Sequence, residues 1–178
     1  MITLFISLLL GVVVNVAPAD RSKTYALAVL RQEYLQASKD EAAAKQFHKK
    51  MAAYTEKHPV RLAYKGGSEA VMAKYHWNPY SKLKYLRTAA SYFEEAVALD
   101  KTNPEVRFLR FTVEHYIPRY LNLSGHLAED KSIIIDNLKK YPNSSLSAEM
   151  ARTIKDFMLT KDHCTEAEKQ EIRSININ

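Results

Sequence analysis

Apolar side chains recur along most of the chain at intervals of three and four residues, the spacing that puts them on one face of an α-helix. Ala44, Phe47, Met51 and Tyr54 follow this spacing clearly. The same pattern predicts helices over residues 24–37, 41–57, 59–76, 79–99, 105–116, 127–140, 146–159 and, more weakly, 166–175. Because turns in β-rich folds consume glycine and proline, a chain of 178 residues with only 4 glycines and 6 prolines is expected to be all-α.

Prolines and capping residues divide these helices into hairpins. Asn78 offers an N-cap side chain before Pro79 at the first helical position, and Pro59 pushes His58 out of the α region. The helix over residues 79–99 is apolar on two faces, which indicates packing partners on two sides, as in a stacked array. We therefore expect antiparallel helical hairpins over residues 20–160, and a tail or a weak capping helix over residues 161–178.

Two adjacent glycines, Gly66 and Gly67, fall inside the predicted helix over residues 59–76. Glycine destabilises a helix interior, so a pair of them calls for a structural reason. Either the helix breaks at this point, or the backbone of a neighbouring helix packs unusually close. We expect close packing.

The second half of this region resembles a known repeat family. The residues that carry the likeness are Ala89, Phe93, Ala96, Leu99, Asp100, Asn103, Pro104 and Glu105. They are similar to the second helix and exit turn of a tetratricopeptide repeat. The segment over residues 139–144 likewise resembles helix ends in exported bacterial repeat proteins, and residues 77–83 and 107–111 are similar to uncharacterised exported bacterial proteins. The resemblance, over residues 79–144, implies a stacked array of hairpins and, as the family's default, a protein or peptide partner.

The first 19 residues have the pattern of a secretory signal peptide. They carry no charged side chain, and an apolar run over residues 4–16 leads to the small-residue motif Ala17-Pro18-Ala19 before Asp20. The run is shorter than the roughly 20 residues that a membrane-spanning helix prefers. We expect cleavage after Ala19 and export to the periplasm or the medium, with an uncleaved membrane anchor over residues 4–19 as the alternative.

Charge and missing motifs narrow the function classes. The net charge of +6 is spread along the chain without a run of four basic residues, which argues against specific nucleic-acid binding but allows attraction to anionic partners or membrane surfaces. The sequence lacks nucleophile, phosphate-loop, dinucleotide and histidine-metal motifs. We expect no cofactor, no metal and no nucleic-acid partner.

The predicted helix over residues 105–116 carries one narrow charged stripe among apolar residues. At about 100° per residue, Arg107, Arg110 and Glu114 fall within about 60° of one another. Arg110 and Glu114 have the spacing of an ion pair, which would leave Arg107 free for a carboxylate or phosphate. The stripe is either a ligand-binding seam of these three residues or a structural ion-pair network between hairpins. We favour the network.

Two further polar clusters are weaker candidates. His126, Glu129 and Asp130 share a helical face and come nearest to a metal-ligand set, but a solvated helix start explains them better. The segment Asp162-His163-Cys164 is predicted to lie in an exposed loop. Its cysteine, the only one in the chain, is expected to be inert because an exposed tail rarely activates a thiol.

An aromatic cluster surrounds the turn before residue 79. Its members are Tyr75, His76, Trp77 and Tyr80. Exposed, the cluster would be a recognition patch; buried, it would be a plug that fixes the angle between two helices. The proline and the N-cap in its middle favour the buried plug.

The sequence as a whole predicts a non-enzymatic helical-repeat scaffold that binds a protein or peptide partner outside the cytoplasm. One alternative is a binder of small anionic ligands, or an enzyme, with its site around Arg107, Arg110 and Glu114. Another is a structural component of an envelope complex.

Overall fold

The computed structural model describes residues 23–177, and this part of the chain contains eight α-helices, one short 3-10 helix (Arg119–Leu121) and no strand. The helices are α1 (Leu27–Ala37), α2 (Glu41–Ala52), α3 (Pro59–Tyr75), α4 (Pro79–Leu99), α5 (Pro104–His115), α6 (Leu127–Lys139), α7 (Ala148–Leu159) and α8 (Glu166–Ser174). The all-α prediction is confirmed. The predicted leader over residues 1–19, with its alternative as an anchor, lies outside the described residues.

Side-chain caps explain where several helices begin. The amide oxygen of Asn78 accepts hydrogen bonds from two backbone N–H groups at the start of α4, and Asn103 does the same for α5. Thr165 and Glu168 form a reciprocal capping box at the start of α8. A cap of this kind stabilises a helix by about 1 kcal/mol, so the sequence determines these starts locally.

Helix α2 ends five residues before the sequence pattern ends, at Ala52 rather than residue 57. Tyr54 leaves the helix and is buried against the ring of Tyr25, with 4.9 Å between ring centroids. The freed carbonyl of Tyr54 accepts a hydrogen bond from Lys65 Nζ at 2.6 Å. Contacts with distant residues therefore outweigh the local helical pattern at this end.

The glycine pair lies at a close crossing of helices, as expected. A Cβ atom on Gly66 would lie 3.1 Å from the carbonyl oxygen of Ala89 in α4. A Cβ atom on Gly67 would lie 2.9 Å from the ring of Tyr34 in α1. The two glycines let α3 approach α4 on one side and α1 on the other, and α3 continues through them without a break.

Helix α5 lies between two hydrophobic clusters, one built mainly by α1–α4 and the other by α6–α8. Val106 and Leu109 face the first cluster, whereas Phe108 and Phe111 face the second. A helix packed on both sides has little face left for solvent, so its charged residues must find partners inside the protein. Helix α8 belongs to the second cluster through the fully buried Ile172. Across residues 23–177, no helix combines the length and the apolar character needed to cross a membrane.

Candidate functional site

The structure brings Arg107 and Arg110 of α5 together on Asp130, in the first turn of α6. Asp130 is 0 % exposed, and both guanidinium groups are buried as well. Arg110 donates to both carboxylate oxygens, from Nε to Oδ2 and from Nη2 to Oδ1, each at 2.7 Å. Arg107 Nη1 donates to Oδ1 at 2.9 Å, while its Nε and Nη2 donate to the carbonyl oxygen of Lys101. Burial alone lowers the pKa of Arg110, but its hydrogen bonds to Asp130 raise that pKa above its ordinary value.

Glu129 completes the charge balance of this group. Its half-exposed carboxylate lies 2.9 Å from Arg107 Nη1 and 3.7 Å from Arg110 Nη2. Two cations therefore face two carboxylates, and the ion pairs of Arg110 are made with residues 129 and 130 rather than with Glu114. The expectation of a solvated helix start at Asp130 is wrong, because α5 and α6 pack face to face and exclude water from this carboxylate.

Glu114, the third predicted site residue, serves the same junction one turn further along α5. Its Oε2 accepts a hydrogen bond from the backbone N–H of His126 at 2.9 Å, and its Oε1 lies 2.7 Å from His126 Nδ1. His126 is the N-cap residue of α6 and makes no side-chain cap of its own. Glu114, on the neighbouring helix, thus accepts the hydrogen bond of the backbone N–H group at the start of α6. The three predicted residues lie together, as parts of an ion-pair network that joins α5 to α6.

A second buried carboxylate, which the sequence analysis missed, lies on the opposite side of α5. Glu105 Oε1 accepts from Tyr64 Oη at 2.9 Å and from Arg31 Nε at 2.8 Å, and its Oε2 accepts from Arg31 Nη2 at 2.6 Å. The hydrogen bond with Glu105 raises the pKa of Arg31, and burial raises the pKa of the Tyr64 phenol. Because Arg31 and Glu105 are 74 residues apart, a local sequence pattern cannot predict this pair.

The aromatic cluster at the α3–α4 turn is open to solvent, against the expectation of a buried plug. Trp77 is 87 % exposed and Tyr80 is 84 % exposed, whereas Tyr75 and His76 are only partly buried. Asn78 and Pro79 do start a helix here, but among residues 23–177 the side chains of Trp77 and Tyr80 are left largely uncovered. These two side chains are called the aromatic patch below.

The stretch of sequence around the aromatic patch is basic. Residues 70–93 contain Lys74, Lys82, Lys84 and Arg87 and no aspartate or glutamate. Lys74 Nζ donates to the carbonyl oxygen of Ser38 at 2.6 Å. In the part of the chain that the structure describes, the exposed side chains of Lys82, Lys84 and Arg87 form no ion pair. A free cationic surface therefore lies beside two exposed aromatic rings.

A shallow cleft of about 210 Å³ opens next to this surface. Its lining residues are Glu69, His76, Ser81, Lys84, Tyr85 and Thr88. Behind it, His48 Nε2 lies 3.1 Å from Glu69 Oε1, and the ring of His76 lies against the ring of Tyr85 with 5.0 Å between centroids. A cleft of this volume is smaller than the typical small-molecule pocket of about 300–1,000 Å³, and it could take a side chain of a docked partner.

The segment Asp162-His163-Cys164 is not an exposed tail throughout. His163 and Cys164 are buried, while Asp162 is exposed. Burial raises the pKa of the Cys164 thiol, and a thiol that stays protonated is a poor nucleophile. Burial lowers the pKa of His163, whose ring lies 4.2 Å from that of His115 between centroids.

No protein-family model, no curated protein and no solved structure matches this chain. The geometry of its own residues is therefore the basis on which a function can be proposed.

Proposed function

We propose that this protein is a non-enzymatic helical scaffold that binds an acidic segment of a protein partner through the aromatic patch and the cations beside it. The observation that carries the proposal is the exposure of Trp77 and Tyr80 in a stretch of 24 residues, 70–93, that has four basic side chains and no acidic one. Tryptophan, tyrosine and arginine are the residue types that contribute most to the affinity of protein interfaces.

Physical reasons indicate that this surface binds a partner rather than simply remaining in contact with water. An exposed indole and an exposed phenol gain free energy when a partner covers them, and both side chains lose few rotamers on binding. Tyr80, Lys84 and Arg87 are spaced four and three residues apart on α4, so they lie along one face of the helix. Unpaired cations along that face raise the association rate with an acidic segment and select against basic ones.

The charged stripe on α5 is a weaker candidate for the binding role. The guanidinium groups of Arg107 and Arg110 already donate to Asp130, Glu129 and the carbonyl of Lys101, and both are buried. An anionic ligand would have to displace these bonds. We therefore assign the stripe to the stability of the fold, and the partner to the α3–α4 turn.

Two finer features belong to the same proposal. The hairpins form a tetratricopeptide-like array, an interpretation supported by the burial of Ala89, Phe93 and Ala96 on α4.

The protein acts outside the cytoplasm after cleavage at Ala19, an interpretation supported by the apolar leader and its small-residue motif. N-terminal sequencing of the chain recovered from its native source tests the second feature. A chain that begins at Asp20 supports export, and a chain that begins at Met1 in the soluble cytosol contradicts it.

The binding proposal is tested by co-isolation of partners with the double variant Trp77→Ser, Tyr80→Ser. Loss of two interface aromatics weakens binding at least about 30-fold, which corresponds to about 2 kcal/mol. Tyr120→Ser is the matched control, because Tyr120 is 82 % exposed and belongs to the 3-10 helix rather than to the α3–α4 turn. A partner retained equally by the double variant and by the control would refute the proposal. Far-UV circular dichroism establishes that all variants stay folded.

A further inference from the structure

Among the described residues, buried side-chain polar atoms without a hydrogen-bond partner occur in Tyr54, Tyr75, Ser144 and His163, and only His163 has two of them. Its side chain is only 4 % exposed, yet neither ring nitrogen, Nδ1 or Nε2, has a hydrogen-bond partner. Buried polar atoms in folded proteins are almost always paired, because a donor or acceptor without a partner destabilises the fold. The ring is packed among other aromatic rings and is stacked on Phe157 with 4.3 Å between centroids. A buried imidazole with both nitrogens free calls for a ligand.

Two further ligand groups lie beside this imidazole. His115 is the last residue of α5, and Asp162 precedes His163 in the loop between α7 and α8. One ligand atom from each of the three residues lies within 4.8 Å of the other two. The left-handed backbone of Lys161, with φ of 45°, turns the chain after α7 so that residues 162 and 163 reach the end of α5.

We propose that His115, Asp162 and His163 bind a divalent transition-metal ion of the zinc class. The site is separate from the aromatic patch and does not depend on the partner-binding proposal.

The spacing of the ligand atoms suits such an ion. Ligands at about 2.0–2.1 Å from a tetrahedral zinc ion are about 3.4 Å apart. His115 Nε2 and Asp162 Oδ1 are already 3.5 Å apart. The remaining ligand atoms lie within 4.8 Å of one another, so they must approach by at most about 1.4 Å. The Asp162 side chain is exposed, and its rotation can supply part of this approach.

The ligand types select the class of ion. Two imidazoles and one carboxylate suit zinc, copper, iron or nickel, whereas magnesium and calcium prefer oxygen ligands throughout. Three protein ligands leave a fourth position for water, as in open zinc sites. The stacking of His115 on Phe111, with 5.8 Å between centroids, restrains the second imidazole as Phe157 restrains the first.

Positive charge nearby makes the carboxylate important. Lys161 lies over the ring of Tyr116, with its Nζ 5.2 Å from the centroid, and Lys169 Nζ donates to the backbone carbonyl of Lys161 at 2.8 Å. These ammonium groups oppose the entry of a cation. The Glu166 carboxylate, 3.0 Å from Lys169 Nζ, offsets one of them. Asp162 is the carboxylate of the site itself, so its neutralisation should weaken metal binding strongly.

The test is isothermal titration of the full, untagged chain with Zn²⁺ alone, alongside thermal unfolding with and without the ion. We expect one site per chain and a melting temperature raised by Zn²⁺, because a ligand that binds only the native state stabilises it. Asp162→Asn should weaken binding at least about tenfold, since loss of even an outer-shell partner of a metal ligand costs 10–100-fold. Asp156→Asn, which neutralises another exposed aspartate on α7, should leave the affinity unchanged.

His163→Phe is the second variant, chosen because a phenyl ring preserves the stacking on Phe157. It should retain the fold and lose the Zn²⁺ response. With Co²⁺ as the probe, the wild-type chain should show visible d–d absorption that is absent in His163→Phe. Zn²⁺ binding that survives both variants, or that is lost instead in His48→Asn, would overturn the proposal by placing the ion elsewhere. No saturable binding by the wild-type chain would overturn it outright.

Discussion

Replacing Asp130 with alanine removes the carboxylate that holds the guanidinium groups of Arg107 and Arg110 between α5 and α6. The substitution leaves two buried cations with Glu129 as their remaining carboxylate, and Glu129 is half exposed. Because water does not reach the site, the cations cannot be rehydrated without opening the α5–α6 contact. The expected result is a large loss of stability with no effect on partner binding.

The magnitude follows from the contacts that are lost. Asp130 accepts three charged hydrogen bonds, two from Arg110 at 2.7 Å and one from Arg107 at 2.9 Å. At about 1.5–3 kcal/mol each, they sum to at most about 9 kcal/mol. The attraction of Glu129 and the retained hydrogen bonds of Arg107 to Lys101 offset part of that sum. We expect a net loss of about 3–5 kcal/mol, the range found when one partner of a buried ion pair is removed.

The assay is urea unfolding followed by circular dichroism, with a thermal scan in parallel. A loss of 3–5 kcal/mol lowers the melting temperature by about 6–20 °C for a chain of this size. Asp136→Ala is the matched control, because Asp136 is an exposed aspartate of the same helix and should change stability by less than about 0.5 kcal/mol. Acetate, which can replace the missing carboxylate, should partly restore the stability of the Asp130→Ala variant and leave the stability of the wild type unchanged.

Three outcomes would refute this reasoning. A loss below about 1 kcal/mol in Asp130→Ala would mean that the network contributes little to the fold. A loss of partner binding, without a loss of stability, would favour the ligand-binding seam at Arg107, Arg110 and Glu114. The third outcome concerns the apolar triple variant Arg107→Met, Arg110→Met, Asp130→Leu. This variant should recover most of the stability, because well-packed apolar side chains often replace a buried ion cluster without loss. If its stability is not recovered, the loss in Asp130→Ala is not caused by buried charge.

Two further predictions concern the packing of α3 and the pairing of α8. Gly67→Ala should destabilise the fold by about 1–3 kcal/mol, because the new methyl group meets the ring of Tyr34 at 2.9 Å; urea unfolding measures the loss. Burial raises the pKa of Glu168, but hydrogen bonds from Lys131 and Thr165 outweigh it and leave that pKa below its ordinary value of 4.5. The charged form therefore favours the folded state, so Glu168→Gln should cost about 1 kcal/mol or less at pH 7. That cost should start to fall as the pH drops below 4.5 and should disappear once the pH is below the lowered pKa of the folded state, where Glu168 is protonated in both states.

Each of these predictions has its own control. The double variant Tyr34→Leu, Gly67→Ala should lose less than the sum of its two single variants, because the smaller side chain vacates the contact. Additive losses would show that the clash is not the cause. For the pH prediction, the control is Glu171→Gln, which changes a more exposed glutamate of α8 that is paired with Lys139. It measures the change in stability caused by neutralising a surface glutamate of the same helix. A cost of Glu168→Gln that does not decrease as the pH falls below 4.5 would contradict the ionic origin of the effect.

The helices were predictable from sequence because their signals are local. Asn78-Pro79 and Asn103-Pro104 cap α4 and α5 through bonds to the next two or three residues, and the apolar spacing inside each helix reports its buried face. Gly66-Gly67 predicted a close helix crossing, although not which helices cross. The same local reading placed the end of α2 too late, because the packing of Tyr54 on Tyr25 depends on residues far away along the chain.

The candidate sites were less predictable, since each joins distant segments. The sequence placed Arg107, Arg110 and Glu114 on one stripe, but their partners Asp130 and His126 come from the next helix. His115 and His163 are in contact across the fold and share no motif spacing. The exposure of the aromatic patch depends on which helices flank the α3–α4 turn. One signal was readable without a structure, the absence of any acidic residue from 70–93.

Site-specific photo-crosslinking in the native source tests the binding surface most directly. A photoreactive phenylalanine analogue is placed at position 80, in the aromatic patch, or at position 120 as the control of equal exposure. The account predicts a defined crosslinked partner at position 80 that is lost when Trp77→Ser is added, and none at position 120. The crosslinked peptide of that partner should be acidic. A partner captured at position 120 and not at position 80, or one whose capture is indifferent to Trp77, would contradict the account.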